Sequence, residues 1–178
     1  MELRETRKVV KKFGRYAVEQ AQRELTVSRR IRGKKAKRYS SGQLHDNLTL
    51  KERVTKNRTT IDFFAKGQAG KYADFIEQGV SGTKVKLKTP YSFKSKFVNI
   101  GSIEKWIRQK PVRLRDKDGK FIQQSEKNIK SAAFVMARSI AEKGIVGIQF
   151  FQKGVTKALD KYGDELAEAV ANDIEIRL

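Results

Sequence analysis

The sequence predicts an α+β fold: a long N-terminal helix, a small antiparallel sheet from hairpins, two to three packed helices, and an extended loop or arm. Three observations carry this. Apolar residues recur at steps of three and four through residues 3–31, through 125–143 and from 149 onward, the period of a helix with one buried stripe. Between residues 47 and 65 the period falls to two, as in strands with one wetter face. Lys56-Asn57 then supplies a tight turn between two such runs, which makes them an antiparallel hairpin.

In chain order, Val9, Phe13, Tyr16, Ala17, Ala21 and Leu25 form the stripe of the first helix, expected over residues 3 to about 31. Gly14 is its weak point, costing about 1 kcal/mol against alanine. So narrow a stripe is expected to pack against the domain or a neighbouring subunit. The helix is expected to run into Arg29, Arg30, Arg32, Lys34, Lys35, Lys37 and Arg38, seven basic residues in ten positions with no acid. Contact with a phosphate backbone or an acidic protein surface is one reading of this run. A solvated helix end is the other. Ser40-Ser-Gly42 breaks the periodicity.

Leu48, Leu50, Glu52 and Val54 alternate with Thr49, Lys51, Arg53 and Thr55, and Thr59, Ile61 and Phe63 behave similarly. Gly67-Gln-Ala-Gly70 ends the second strand. Tyr72 to Val80 reads as a short amphipathic helix, with Tyr72, Phe75 and Ile76 on one face and Gly79 as its left-handed terminus. Residues 80–100 form a loop or extended segment in which Lys84, Lys86 and Lys88 alternate with Val85 and Leu87, as at a protected edge. Ser102 is the expected N-cap of a helix carrying Ile103, Trp106 and Ile107 on one face, closed by Pro111. Leu114 to Ile122 reads as a second hairpin turning at Asp118-Gly119.

Ser125 caps a stronger helix, with Ile129, Ala132, Ala133, Met136, Ala137 and Ile140 as its stripe and Gly144 as its end. An apolar connection follows through Phe150 and Phe151. The final helix carries Val155, Leu159, Leu166 and Val170, with an interruption at Gly163.

Composition bounds what this fold does. The chain has 178 residues, 38% of them hydrophobic and 34% charged, so one packed core is expected and a second is not. The net charge of +20 implies a polyanionic or acidic partner. The segment from Lys161 is acidic, and that polarity suits head-to-tail assembly of identical subunits. There is no cysteine, no apolar leader, and no run of about 18 apolar residues that would span a membrane.

Signals of catalysis are sparse. His45 is the single histidine, beside Asp46, and nothing like Gly-x-Ser-x-Gly, a P-loop or Gly-x-Gly-x-x-Gly occurs. Asp74 and Glu77 fall on one helix turn, and Asp62 with Lys66 could supply a fragment of a nuclease site. Phe63, Phe64, Tyr91, Phe93 and Phe97 among lysines suit single-strand stacking, or a core residue and loop anchors. No enzymatic activity, cofactor, metal or small-molecule substrate is expected.

Ser41-Gly-Gln-Leu-His-Asp-Asn-Leu48 resembles the threonine-glycine-x-leucine-x-x-serine-isoleucine element of phage minor tail proteins of the tail-completion, head–tail joining type. Ser41 and Asn47 stand where that family has threonine and serine. In the family a hairpin follows, then a Tyr-Ala-x-x-x-Glu-x-Gly motif, which Tyr72, Ala73, Glu77 and Gly79 match. Pro90 and Phe93 are similar to its later proline and aromatic positions. Gly144-Ile-Val-Gly147 with Phe150-Phe151 resembles its lead into the C-terminal helix. With Gly42 and Leu44 these are the motif residues, in order over about residues 40–160.

The resemblance implies a tail-completion-like core over 40–160 with an inserted loop at about 80–125; the residues themselves add a basic N-terminal helix and arm over 1–39 and a helical tail over 161–178. It also implies a non-catalytic virion protein, made in the host cytoplasm, that forms a homo-oligomeric ring around the DNA channel. Its partners would be copies of itself and neck, portal-adaptor or tail proteins, with nonspecific DNA contact; the basic residues among Arg29 to Arg38 and Lys84 to Lys88 are the expected contacts for a polyanion or an acidic partner. A basic nucleic-acid-binding protein is the alternative, and a hydrolase using Asp62 or Asp74 a third.

Overall fold

A computed structural model describes residues 3–32, 34–36, 42–55, 58–110 and 112–175. The chain divides into two compact units, Met1–Glu77 with Ile148–Leu178, and Gln78–Gly147. Each holds its own cluster of buried apolar residues, so the single core expected from length is in fact two. The α+β class is as expected: among the described residues there are six α-helices and three two-stranded antiparallel sheets.

The first unit is built on two long helices, α1 (Arg4–Thr26) and α6 (Phe150–Glu175). Thr6 meets Asp173, Lys12 meets Glu165 and Glu24 meets Lys157, so the helices run antiparallel. Their seam is made of small residues. A Cβ on Gly154 would lie 2.5 Å from the Ala17 carbonyl oxygen and 3.1 Å from the Ala21 Cβ, while Ala17, Ala21 and Ala158 are buried. The backbones therefore approach more closely than leucine would allow.

That close seam sets the phase of α6. Its buried face is Phe150, Gly154, Ala158, Ala169 and Asp173, whereas the expected Leu159 and Val170 are exposed and Val155 and Leu166 half-buried. Nor does Gly163 interrupt the helix: Tyr162 beside it packs edge-on against Tyr16 at 5.7 Å, and tertiary contact holds both flanks.

Two further elements cover α1. Strands β3 (Leu48–Thr55) and β4 (Arg58–Ala65) pair from Leu48–Ala65 to Thr55–Arg58, the hairpin expected, with its two turn residues outside the described set. A Cβ on Gly14 would meet Ile61 Cδ1 at 2.9 Å and Leu50 Cδ2 at 3.0 Å. The weak point in helix propensity is thus where the hairpin comes down on the helix. Between α1 and β3 lies the short α2 (Gln43–Asn47). A 3₁₀ turn (Gly67–Ala69) leads into α3 (Gly70–Gln78).

Helix α1 stops five residues before the expected end. Val27 is already extended, and Arg29–Ile31 (β1) pairs with Lys34–Ala36 (β2) around Arg32, whose φ is +50°. Successive cations disfavour helix by mutual repulsion at steps of three and four.

In the second unit β5 (Gly79–Ser81) pairs with β6 (Gly144–Val146). Gly79 and Gly144 have φ of +84° and +75°, and a Cβ on Gly79 would fall 2.5 Å from Ile145 O. Residues 82–99 are irregular, so Val85 and Leu87 form no strand. They are anchored all the same: Ser81 N–H donates to Tyr91 O at 2.8 Å and Phe93 N–H to Ser81 O at 2.9 Å.

Helix α4 (Ile100–Gln109) starts before the expected site because Asn99, not Ser102, is its cap: Asn99 Oδ1 accepts from Ser102 N–H at 2.9 Å. Pro111, expected to close it, lies outside the described residues. The 114–122 turn forms with one bridge, Arg115–Phe121, and Gly119 at φ +84°. Helix α5 (Glu126–Lys143) is capped by Ser125 as expected and buries Ile129, Ala133, Ala137 and Ala141. Ile107, Leu114, Ile129 and Ala133 make this unit's core.

Candidate functional site

Part of the motif set converges in the first unit, while Gly79, Pro90, Phe93 and the 144–147 segment belong to the second. Leu44 from α2, Ala73 from α3 and Phe150 from α6 are buried in one cluster with Ala21, Leu25, Leu48, Ala69 and Ile148. Tyr72, Ile76 and Phe151 pack against it. Burial there pushes the Tyr72 phenol above its ordinary value. Phe75, expected on the same face, is 39% exposed. The inward positions of α3 are 72, 73 and 76, and Phe75 lies to one side of them. Phe150 and Phe151 stack at 4.7 Å, and Phe63 of β4 approaches Phe151 at 6.2 Å. Phe63 is therefore a packing residue.

Glu77 completes this corner. Its carboxylate accepts from Phe151 N–H at 2.9 Å and from Gln152 N–H at 3.0 Å, capping α6 from a position 74 residues earlier in the chain. Its backbone carbonyl accepts from Gln149 N–H at 3.0 Å, and Ile76 O accepts from Ile148 N–H at 3.1 Å. Gln149 takes φ +54° at this bend. Glu77 is thus committed to a helix terminus, and the acid pair with Asp74 does not form a ligand set; Asp74 is exposed. Gly42, with φ +81° and buried, opens α2. Ser41 lies outside the described residues. Pro90 is exposed and Phe93 half-buried in the second unit.

Asp173 repeats the device at the other long helix. Its carboxylate accepts from Thr6 N–H at 2.9 Å and Glu5 N–H at 3.2 Å. The Thr6 amide above all holds the Asp173 carboxyl below its ordinary range. Leu3, the local N-cap position of α1, offers no side-chain cap.

The basic residues divide by role. Arg29 pairs with Glu24, which also accepts from Lys157 Nζ at 2.7 Å. Lys153 lies near this group, donating to Ile148 O at 2.8 Å; burial, then Arg29, lowers its pKa. Arg29 is therefore structural. Arg30, exposed at the centre of β1, stands across from Lys35, and Ile31 from Lys34. Arg32 is exposed at the bend. Lys37 and Arg38 lie outside the described residues. Arg30, Arg32, Lys34 and Lys35 thus belong to one basic β-ribbon. Lys84, Lys86 and Lys88 belong to the other unit; Lys84 pairs with Glu142 at 2.9 Å, and Lys86 and Lys88 are exposed.

The chemical candidates have structural partners. His45 Nδ1 lies 2.7 Å from Asp46 Oδ1, and His45 O accepts from Gln22. Asp62 pairs with Arg53 at 2.8 Å across the β3–β4 hairpin. Among the described residues no three His, Asp or Glu side chains gather as metal ligands, and no helix is long and apolar enough to cross a membrane. Glu24, Lys157 and Asp173 play no part in the sequence reading because the contacts they make between α1 and α6 join residues 133 to 168 apart, beyond any local pattern. The chain matches none of the protein-family models, curated proteins or solved structures with which it was compared.

Proposed function

We propose that this chain is a bacteriophage virion structural protein of the neck or tail. In this reading it is a tail-completion or head–tail connector subunit that forms a homo-oligomeric ring joining portal-side and tail-side proteins around the DNA channel. One observation supports the reading above the others. Three of the motif segments that carry the resemblance, around Leu44, Tyr72-Ala73-Glu77 and Phe150-Phe151, meet in one corner, where Glu77 caps the helix that Phe150 begins. Segments spread across a hundred residues thus form one structural unit, as the elements of a single family core would. The corner is apolar and its one carboxylate is spent on backbone amides, which suits a scaffold role.

The test is co-purification. Tagged protein mixed with virion extract is expected to sediment with particles and to form a closed oligomer when pure. A protein that stays monomeric and never accompanies particles would overturn the proposal.

A second reading, nonspecific nucleic-acid binding, is favoured by the β1–β2 ribbon, which gathers Arg30, Arg32, Lys34 and Lys35 and pairs residue 30 with residue 35 in register. A polyanion would offset the positive charge gathered in this ribbon. It predicts a log affinity for duplex DNA that falls with log salt by about 0.9 per phosphate contact. Absence of binding at low salt would dismiss it.

A further inference from the structure

The turn between α4 and α5 carries an aromatic ring that the core does not use. Ile122 N–H donates to Leu114 O across the turn, Leu114 is buried and Ile122 packs against the core of its unit. Side chains alternate along such a hairpin, so Arg113, Arg115 and Phe121 take its outer face. Phe121 is 56% exposed, more than any other described Phe or Trp. A lone exposed ring is common on protein surfaces, but this one is held in place. The Arg115 guanidinium lies 3.9 Å from its centroid and that of Arg113 5.5 Å. Arg115 Nη1 in turn donates to Gly119 O at 2.7 Å. Asp116 Oδ1 fixes the tip, accepting from Asp118 N–H at 3.0 Å and Lys120 N–H at 2.9 Å.

Space and charge adjoin the ring. A recess of about 510 Å³ opens between Phe121, Arg113 and Gln124. Arg113 also borders a second recess of about 740 Å³, which reaches α5 and adds Arg115, Lys117, Asn128 and Ser131. Among the described residues, Arg113, Arg115, Lys117 and Lys120 enter no ion pair. Asp116 and Asp118 are the acids of this stretch, so its cations outnumber them four to two. The hollow thus offers an oriented aromatic plane beside unpaired cations. An acidic peptide would meet the charge and leave the plane unused. A duplex would do the same, because its bases are stacked on one another. A single strand supplies both unstacked bases and phosphates, and a guanidinium lying flat on a ring extends the stacking surface.

We propose that the outer face of the 113–121 hairpin binds single-stranded nucleic acid. Phe121 is the platform for one base, and Arg113, Arg115 and Lys117 take the adjoining phosphates. The site shares a ligand class with the second reading above, but it lies in the other unit from the β1–β2 ribbon and uses bases as well as charge. Neither the ribbon nor ring assembly is needed for it.

Fluorescence anisotropy of the full chain with a labelled oligodeoxythymidine of about 12 nucleotides tests it. Wild type is expected to bind at low salt, with log affinity falling by about 0.7 per phosphate contact as log salt rises. Phe121→Ala should weaken that binding by at least about fivefold, the low end for loss of one stacked base, and leave any duplex binding unchanged. Phe121 is exposed, so this variant should keep the wild-type melting curve. If it does not, Phe121→Leu, apolar but without a π face, takes its place. Phe121→Trp in a Trp106→Phe background keeps the platform, and the oligomer should quench its emission. Arg30→Gln combined with Lys35→Gln should leave the Phe121-dependent difference intact, which separates this site from the ribbon. Wild type that ignores the oligomer at low salt, undiminished binding without the Phe121 ring, or unaltered emission from Phe121→Trp would overturn the proposal. So would equal competition by an abasic strand or by poly-glutamate, since either would show that the hairpin reads charge alone.

Discussion

Replacing Glu77 by alanine should lower stability by removing the cap of a helix that begins 74 residues later. The wild-type carboxylate accepts from the Phe151 and Gln152 amides at 2.9 and 3.0 Å, two of the donors that a helix start leaves unpaired. Loss of such a cap costs about 1 kcal/mol, and up to about 2 where a donor is left partly buried, as the Phe151 amide is. For a chain of this size each kcal/mol corresponds to about 2–4 °C, so Glu77→Ala should lower the melting temperature by about 2–8 °C. Glu77→Gln keeps an acceptor and loses mainly the charge–dipole interaction, about 0.3–1 kcal/mol, so it should fall between the two. Asp74→Ala, exposed on the same helix, is the control and should stay within about 0.5 kcal/mol of wild type. Circular dichroism melts measure all four proteins. If Glu77→Ala melts with Asp74→Ala, the remote cap contributes nothing and the corner is not held as described.

Three further outcomes follow from the packing. Gly154→Val places carbon against the Ala17 carbonyl at the α1–α6 seam and should destabilise by about 1–3 kcal/mol in urea unfolding; an unchanged midpoint would mean the helices do not approach so closely. Gly79→Ala combines φ +84° with a contact to Ile145 O, so β5–β6 amides should exchange markedly faster, and unaltered exchange would contradict the strain. Asp173 has a folded pKa below its unfolded value of about 3.9. Its stabilising effect is therefore complete above that value and lost as pH falls through the lower folded value. Asp173→Asn should be less stable at neutral pH, and the gap to wild type should close with acid; a constant gap would rule out linkage.

Much of this architecture is legible locally. The 48–65 hairpin, the Ser125 cap and the glycines at 79 and 144 are signals contained within a few residues of where they act. The misses share one cause: they depend on what a segment packs against. Leu159 and Val170 make a convincing buried stripe until the close Gly154–Ala17 contact turns α6 by part of a turn. The basic run after Thr26 continues a helical period, yet Arg29–Ile31 pairs with Lys34–Ala36 as a β-ribbon instead. Glu77 looks like half of an acid pair because its partner, the α6 terminus, is invisible from its neighbours. The candidate site divides the same way: its motif residues were identifiable in sequence, but their meeting in one corner is a property of the fold.

The central claim, a ring-forming neck or tail subunit, is tested most directly by electron microscopy of particles decorated with antibody to this chain, alongside the purified protein. The account predicts label confined to the head–tail junction or tail and closed rings of the pure protein. Unlabelled particles together with solely monomeric protein would contradict it.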